Sequence, residues 1–415
     1  MKPLASAKDT AGSIPSRRFL HLLIIVMVCL ASVAPYEGAD IAIIFAAATV
    51  SLLALMSAPR YEAGLRAAVL ATLGGTCILS TIWSVAPFST LPAATAIVLL
   101  ITATTLVRRV MSQQEFLEVV AVAFRVVLLV SILTAIVVPS VGLVDENYQT
   151  GALKGLFVHR NLLAFMALIA LATFVALRKI RSRRVTVMDT VLSVACLLAA
   201  QSQTVLVAAL GTALVIVVLR WVRRFTGFSR VIIGTLSLAS ILTLVYMAIF
   251  SFAEIVSGLG RDSTLTGRTD VWPAVLEQIE RSPLLGLGWN AAWREGLPDT
   301  QRMWRAAGFK MYHSHDGYLD MMLQLGLVGL VLLVIALLGA IVLAVRAFVR
   351  DRIQLSAWSV AVAMALVLVN LTESPSTNFF GFFVLGAALL FATERQLVSD
   401  LGSVRPSRRL VGTAS

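Results

Sequence analysis

The chain has 415 residues, 59% hydrophobic and 13% charged, with a mean hydropathy of +0.90. A soluble domain carries about a quarter charged residues, so this composition excludes a large water-soluble catalytic domain and calls for a membrane. Each helical span takes about 20 apolar residues, so twelve spans use about 240 and leave about 175 for loops and tails. The net charge of +12 resides in short basic clusters between apolar runs, a topology signal and not a nucleic-acid surface.

Arg17 and Arg18 precede the first apolar run in the manner of a signal peptide. No small-residue cleavage site follows, so the run is expected to remain as a helix. Apolar runs continue at about 19–35, 40–58, 65–83, 91–107, 116–138, 161–178, 187–201, 203–219, 231–252, 316–345, 356–372 and 378–393. With both termini inside, most of the 34 basic residues fall in cytoplasmic segments, as the positive-inside rule requires. The expected fold is an all-α polytopic membrane protein of about 12 transmembrane helices. Residues 1–252 hold nine of them after a cytoplasmic N-terminus, 253–314 form a long extracytoplasmic loop, 315–395 hold three more, and 396–415 form a cytoplasmic tail. Arg125 stands out as an intramembrane charge, expected to snorkel. Cys29, Cys77 and Cys196 all lie inside apolar runs without metal-site spacing, so neither a disulfide nor a metal is expected.

Two segments interrupt the pattern. Gln201-Ser202-Gln203-Thr204 is a polar turn between two short runs, expected to dip into the outer side of the bundle. The stretch from Ala253 to Ser314 far exceeds the usual loop of about 4–6 residues, and its tryptophans and glycines argue for order. Within it, Thr269 or Asp270 can cap a helix through about Glu280, with Pro273 in the first turn and Ser282-Pro283 as the stop. Val271, Val275, Leu276 and Ile279 would share its apolar face. Such a helix either lies on the membrane surface or simply covers span ends.

Three of the four histidines, His159, His313 and His315, lie in outward segments near span ends. An imidazole there can accept a proton from a hydroxyl. His315 and Gly326 are about three helical turns apart, so they would share a face that Gly329 extends. His315 is the expected base and His313 the next candidate; a role for His315 as a helix cap stays open. His159-Arg160-Asn161 stands at the entrance to the sixth span, where backbone N–H groups and an arginine suit an anion. A snorkelling role is equally open to Arg160. The run from Arg261 to Trp272 places Arg268 at a second helix entrance, and two such sites on one face would suit a diphosphate.

Several segments together resemble the O-antigen ligase and exopolysaccharide polymerase superfamily. They are Gly155 to Asn161, Thr264-Leu265-Thr266-Gly267-Arg268 through Trp272, Ser282 to Gly288, the His315 to Gly326 spacing, and Asn370-Leu371-Thr372-Glu373-Ser374. The Thr264–Thr269 and Asn370–Ser374 runs are most similar to the exopolysaccharide polymerase branch. The resemblance implies an inverting, metal-independent membrane glycosyltransferase without a cofactor, whose donor is a glycan on a polyprenyl (undecaprenyl) diphosphate. It implies that His315 activates the acceptor hydroxyl of a glycan or lipid-linked acceptor, and that Arg268 holds the diphosphate. Arg160 is the second anion ligand by position. The family pattern places a basic residue where this chain has Gln203, so either Lys154 or Arg261 substitutes for it, or diphosphate binding is weaker here, or the enzyme is a diverged member. His159, Asn161, His313 and Glu373 complete the expected substrate-contacting set. Trp289, Trp293 and Trp304 would either form a sugar-stacking wall or an interfacial belt.

The implied partners are membrane lipids and the flippase and chain-length regulator of the same pathway, at the bacterial inner membrane with the site facing the exterior. An O-antigen ligase, a twelve-span secondary transporter and a noncatalytic export scaffold are the competing readings. Transporters concentrate ionisable groups near the midplane, whereas the polar residues here gather on the outer side.

Overall fold

The computed structural model describes residues 17–33, 39–57, 64–145, 151–258, 266–308, 310–351 and 355–392. Among them the chain is all-helical, with one isolated β-bridge between Leu143 and Leu153. The helices are α1 (Arg17–Val33), α2 (Ala39–Ser57), α3 (Leu65–Leu79), α4 (Pro87–Val110), α5 (Gln113–Val137), the single turn α6 (Pro139–Gly142), α7 (Arg160–Ala176), α8 (Arg183–Ala199) and α9 (Gln203–Val222). They continue as α10 (Gly227–Gly258), α11 (Thr266–Arg281), α12 (Pro298–Ala307), α13 (Gly317–Asp351), α14 (Ser356–Asn370) and α15 (Phe379–Leu390). Each apolar run of the sequence falls on one of these helices. Among the described residues, five segments are long and apolar enough to cross a membrane by length and composition: Leu65–Ile82, Pro87–Val110, Gln113–Val137, Gln203–Val222 and Gly317–Arg350.

Local chemistry sets the helix ends. Ser112, Ser182 and Asn378 cap α5, α8 and α15 by accepting the backbone N–H of Glu115, Val185 and Gly381, filling donors that a helix start leaves open. Pro87 opens α4, where its missing N–H costs nothing. A helix apolar on every side must be buried, and α14 and α15 meet that condition. Nearly every residue of both is buried, α14 touching α7, α9, α13 and α15. The turn joining them, Leu371 to Asn378, is therefore held at the centre of the bundle. Elsewhere large apolar side chains such as Phe45, Phe88, Leu210 and Phe228 face outward, as a lipid-facing surface requires.

Three expectations change. The 253–314 stretch is not wholly loop, because α10 extends to Gly258 and α12 adds a helix. The helix expected from Thr269 or Asp270 begins earlier, at Thr266, so Pro273 lies beyond its first turn. Its buried side is Ala274, Val275, Gln278 and Ile279, while Leu276 is exposed, a rotation imposed by packing against α12 and α13. With Leu287, Ala292, Met303, Trp304, Met311 and Leu323 this side forms a small separate core that roofs one end of the bundle.

The third change concerns Arg125, which does not snorkel. Its Nε and Nη2 each donate at 2.7 Å to the two oxygens of Asp189 on α8, and Arg181 Nη1 joins at 3.3 Å. Arg181 also donates through Nη2 to the Glu118 carbonyl. The cluster pins the α7–α8 hairpin to α5. Truncating one partner of a buried pair strands the other's charge, at about 3–5 kcal/mol. Arg125 is 32% exposed, so Asp189→Ala should cost less, about 2 kcal/mol, seen as a lower thermal midpoint in detergent. Unchanged heat stability would show that the cluster does not hold the hairpin.

Candidate functional site

The site is built on a break in a helix. Gly326, inside α13, has φ 65° and ψ −163°, so the helix stops there and restarts. The turn after α11 fills the gap with its own backbone. Leu327 and Val328 donate to the Pro283 and Leu284 carbonyls, and Leu287 and Gly288 donate to those of Leu323 and Gln324, all at 2.8–3.3 Å. A third set of contacts comes from the segment between α3 and α4: Trp83 Nε1 donates to Leu285 O and Val85 N to Leu287 O, both at 3.0 Å. The approach requires glycine on both sides. A Cβ on Gly286 (φ 66°) would lie 2.5 Å from the Gln324 carbonyl carbon, and one on Gly326 would lie 2.2 Å from that of Leu284. Gly326 thus does not extend an unbroken helix face below His315, as the three-turn spacing predicted; it admits a loop.

Asp320, one turn into α13 and 1% exposed, ties the surrounding segments together. Its Oδ1 accepts from Trp293 Nε1 at 2.7 Å and from the Ser314 backbone at 3.3 Å. Its Oδ2 accepts from Thr377 Oγ1 at 2.6 Å and Gln324 Nε2 at 3.2 Å. One carboxylate therefore links the roof, the loop before α13 and the α14–α15 turn. Gln324 passes the link on by accepting the Asn290 N–H at 2.7 Å.

His315 sits between these supports with φ 54°, a left-handed conformation that histidine enters more readily than most side chains. Asp316 caps α13, accepting from Tyr318 N and Leu319 N at 2.9 Å each, so the capping role left open for His315 belongs to its neighbour. Burial raises the Asp316 carboxyl above the usual carboxylate range, and the two cap bonds pull it back in part. The His315 Nδ1 is buried without a hydrogen bond and faces Glu373 Oε2 at 3.6 Å. Asn161 Nδ2 donates to the other oxygen, Oε1, at 2.5 Å. Glu373 is 5% exposed, whereas the His315 side chain keeps 21% exposure with Nδ1 shut in, so its accessible surface lies elsewhere on the ring. Loop, turn and α7 entrance thus meet in one row: His315, Glu373, Asn161.

The other expected residues fall around that row. His313 packs its ring edge-on to His315 with centroids 4.1 Å apart, and its Nδ1 accepts the His315 N–H at 3.2 Å. His159 is the cap of α7, its Nδ1 accepting from Asn161 N at 3.2 Å. Arg160 is buried and donates through Nη1 to Ala200 O at 3.1 Å and to Gln201 O, which locks the α8–α9 turn onto the start of α7. Lys154 is half-buried beside the same turn, since Leu153 N donates to Ala199 O at 2.9 Å. Gln203 opens α9 as an exposed residue of that turn. Arg261 lies outside the described residues. Arg268 is in the first turn of α11, and its side chain also lies outside them; four residues on, Trp272 Nε1 donates to Ser314 O at 3.1 Å, which fixes this helix start beside the His315 loop.

One expectation fails here. Trp289 and Trp304 are buried, Trp289 edge-on to Phe382 and Trp304 donating to Met311 O, so they form neither a sugar-stacking wall nor an interfacial belt. Only Trp293 of the three is half-buried, and its indole N–H is spent on Asp320. His313, His315 and Glu373 each offer a ligand atom within 4.8 Å of the others. The 58 positions between His315 and Glu373 hid this from linear spacing. Asp320 was overlooked although an acid inside the 316–345 run is the kind of intramembrane group that marks a site.

The structure thus defines an integral membrane helical protein with a half-buried histidine facing a buried carboxylate beneath an ordered roof. Residues 189–334, from α8 into α13 and including His315, match the family described as O-Antigen ligase. A stretch of 159 residues, 35% of this chain, is 33% identical to the exopolysaccharide production protein ExoQ of Rhizobium meliloti (strain 1021) and covers 34% of that protein. The chain therefore matches about a third of the length of this curated relative. Over this segment the chain is similar to the O-antigen ligase family and to an exopolysaccharide production protein.

The seam between Gly286 and Gly326 generates a direct test. Gly286→Ala should destabilise the protein by more than the roughly 1–2 kcal/mol of a left-handed Cβ, because the backbone of Gln324 blocks it. Gly296→Ala is the control, with φ 89° but open space around its Cβ. Equal thermal midpoints for the two variants would show that the seam tolerates separation.

Proposed function

We propose that the protein is a glycosyltransferase that polymerises polyprenyl-diphosphate-linked oligosaccharide repeat units into surface polysaccharide on the outer side of the inner membrane. All twelve apolar helices span in this reading, with both termini cytoplasmic. The observation that carries it is the His315–Glu373–Asn161 row at the mouth of α13. With Nδ1 turned towards a carboxylate, the other ring nitrogen, Nε2, is the one that can take a proton. Asn161 orients Glu373, and Glu373 orients the imidazole.

In the reaction His315 Nε2 removes the proton of an acceptor sugar hydroxyl as its oxygen attacks the anomeric carbon of the donor glycan. The bond from that carbon to the diphosphate oxygen breaks, and the electron pair leaves on the polyprenyl diphosphate. Attack from the face opposite the leaving group inverts the anomeric configuration. Charge growing on the diphosphate needs fixed positive partners, and electrostatic stabilisation of this kind is commonly the largest catalytic term. Arg268, at the α11 start beside the His315 loop, is the first such partner. Arg160 contributes a second buried charge and, through the Gln201 carbonyl, holds the turn carrying Gln203. Lys154, beside that turn, supplies the cation that Gln203 lacks.

The polymerase and the ligase share this chemistry and differ in acceptor. The exopolysaccharide relative, with the Thr264–Thr269 and Asn370–Ser374 runs, favours the polymerase. A deletion strain should therefore accumulate single repeat units on the lipid carrier and lack long chains. Accumulation of full-length polymer on the carrier would assign the ligase instead. Guanidinium geometry matters at a diphosphate, so Arg268→Lys should lower transfer by at least tenfold at subsaturating donor. Unchanged donor dependence would remove Arg268 from the site.

A further inference from the structure

We propose that His313, His315 and Glu373 form a binding site for a divalent transition metal of the Zn2+ class, and that an ion bound there stops catalysis. The inference rests on His315 acting as the base, and concerns the regulation of that same site.

Two imidazoles and one carboxylate are a common zinc ligand set, with metal–ligand distances of about 2.0–2.2 Å. Ligands at such distances in a tetrahedral arrangement lie about 3.3 Å apart. The pair His315 Nδ1 and Glu373 Oε2, at 3.6 Å, is already close to that spacing. The two imidazole rings are in contact at 4.1 Å, and one ligand atom from each of the three residues lies within 4.8 Å of the others. Closing the set from 4.8 Å to the tetrahedral spacing needs side-chain shifts of about 1.5 Å.

The site also has a ligand atom without a hydrogen bond. His315 Nδ1 is buried and makes none, so an ion that binds it breaks no hydrogen bond there and only moves the ring hydrogen to Nε2. At His313 the ion takes the lone pair now directed at the His315 N–H, a contact of 3.2 Å. Glu373 keeps its Asn161 bond through Oε1 while Oε2 turns to the ion, the type of outer support that orients metal-bound carboxylates.

Inhibition follows from the tautomer. A neutral imidazole has one lone pair, and once Nδ1 carries the metal the remaining hydrogen is on Nε2. That nitrogen then donates and cannot accept the acceptor's proton. The ion also fixes Glu373 and neutralises its charge. The base is therefore silenced without any change in the bundle, and a chelator restores it.

The test uses full-length protein purified in detergent and stripped with EDTA. Co2+ serves as the visible-absorption probe and Zn2+ as its competitor. One Co2+ per chain with tetrahedral absorption, displaced by Zn2+, is expected in the wild type. His313→Ala and Glu373→Gln should each weaken it at least tenfold, with His315→Ala as the third variant should one of these misfold. Absence of Co2+ binding, or equal binding by wild type and all correctly folded variants, overturns the site whatever the enzyme's activity. In the activity arm, stripped wild type should polymerise, stoichiometric Zn2+ should stop it, and EDTA should restore it. If the stripped protein is inactive and Zn2+ restores it, the inhibitory role is overturned. Inactivity under every metal condition, beside intact Co2+ binding, overturns the glycosyltransferase reading and leaves the site standing.

Discussion

Breaking α13 at Gly326 leaves peptide groups of a long apolar helix without their own-helix partners, and inside a membrane each unpaired group costs several kcal/mol. The Pro283–Gly288 turn supplies those partners. Everything at the site depends on that exchange. It anchors the roof formed by α11 and α12, and it leaves the first turns of α13 as a separate short piece that carries Asp316 and Asp320. The piece presents the His315 loop to the α14–α15 turn, which two almost wholly buried helices hold in place. Glycine is required at 286 and 326 because two backbones touch there, and any Cβ would separate them.

Charged groups inside the bundle follow the same rule of complete pairing. Asp320 receives four hydrogen bonds and Asp189 receives three from two arginines. An interrupted helix with an acid beside it is also a feature of secondary transporters, where unwound backbone and the acid line an ion path. Here another backbone occupies the interruption, and four donors occupy Asp320. The His315–Glu373–Asn161 row, at the start of α13, keeps a buried ring nitrogen, His315 Nδ1, without a hydrogen bond. These features fit surface chemistry better than passage through the bundle.

The helical runs were legible in the sequence because a membrane helix is a composition signal, and length alone places its centre. Asn161, His315 and Glu373 were legible as members of spaced motifs, but their meeting was not. It depends on Asp320 and Thr377 joining two loops across 57 positions, a tertiary contact without local periodicity. The break at Gly326 was hidden for a similar reason. A glycine three turns from a histidine reads as a packing face on a regular helix, and only the approach of Leu284 and Leu285 reveals why it is needed. The tryptophans misled because aromatic residues in an outward loop suit both sugars and a hydrophobic core, and the roof required a core. Arg125 misled because its partner, Asp189, lies on another helix.

Chemistry at the row requires that His315 do more than fill space beside Glu373. The most direct measurement is polymer formation by purified, EDTA-treated protein supplied with lipid-diphosphate-linked repeat units, comparing wild type with His315→Ala and reading the thermal midpoint of each in parallel. A base at His315 predicts at least a hundredfold loss of transfer with the midpoint retained, in line with the roughly 10²–10⁴-fold contribution of general bases. Normal polymer from a folded His315→Ala protein would contradict it.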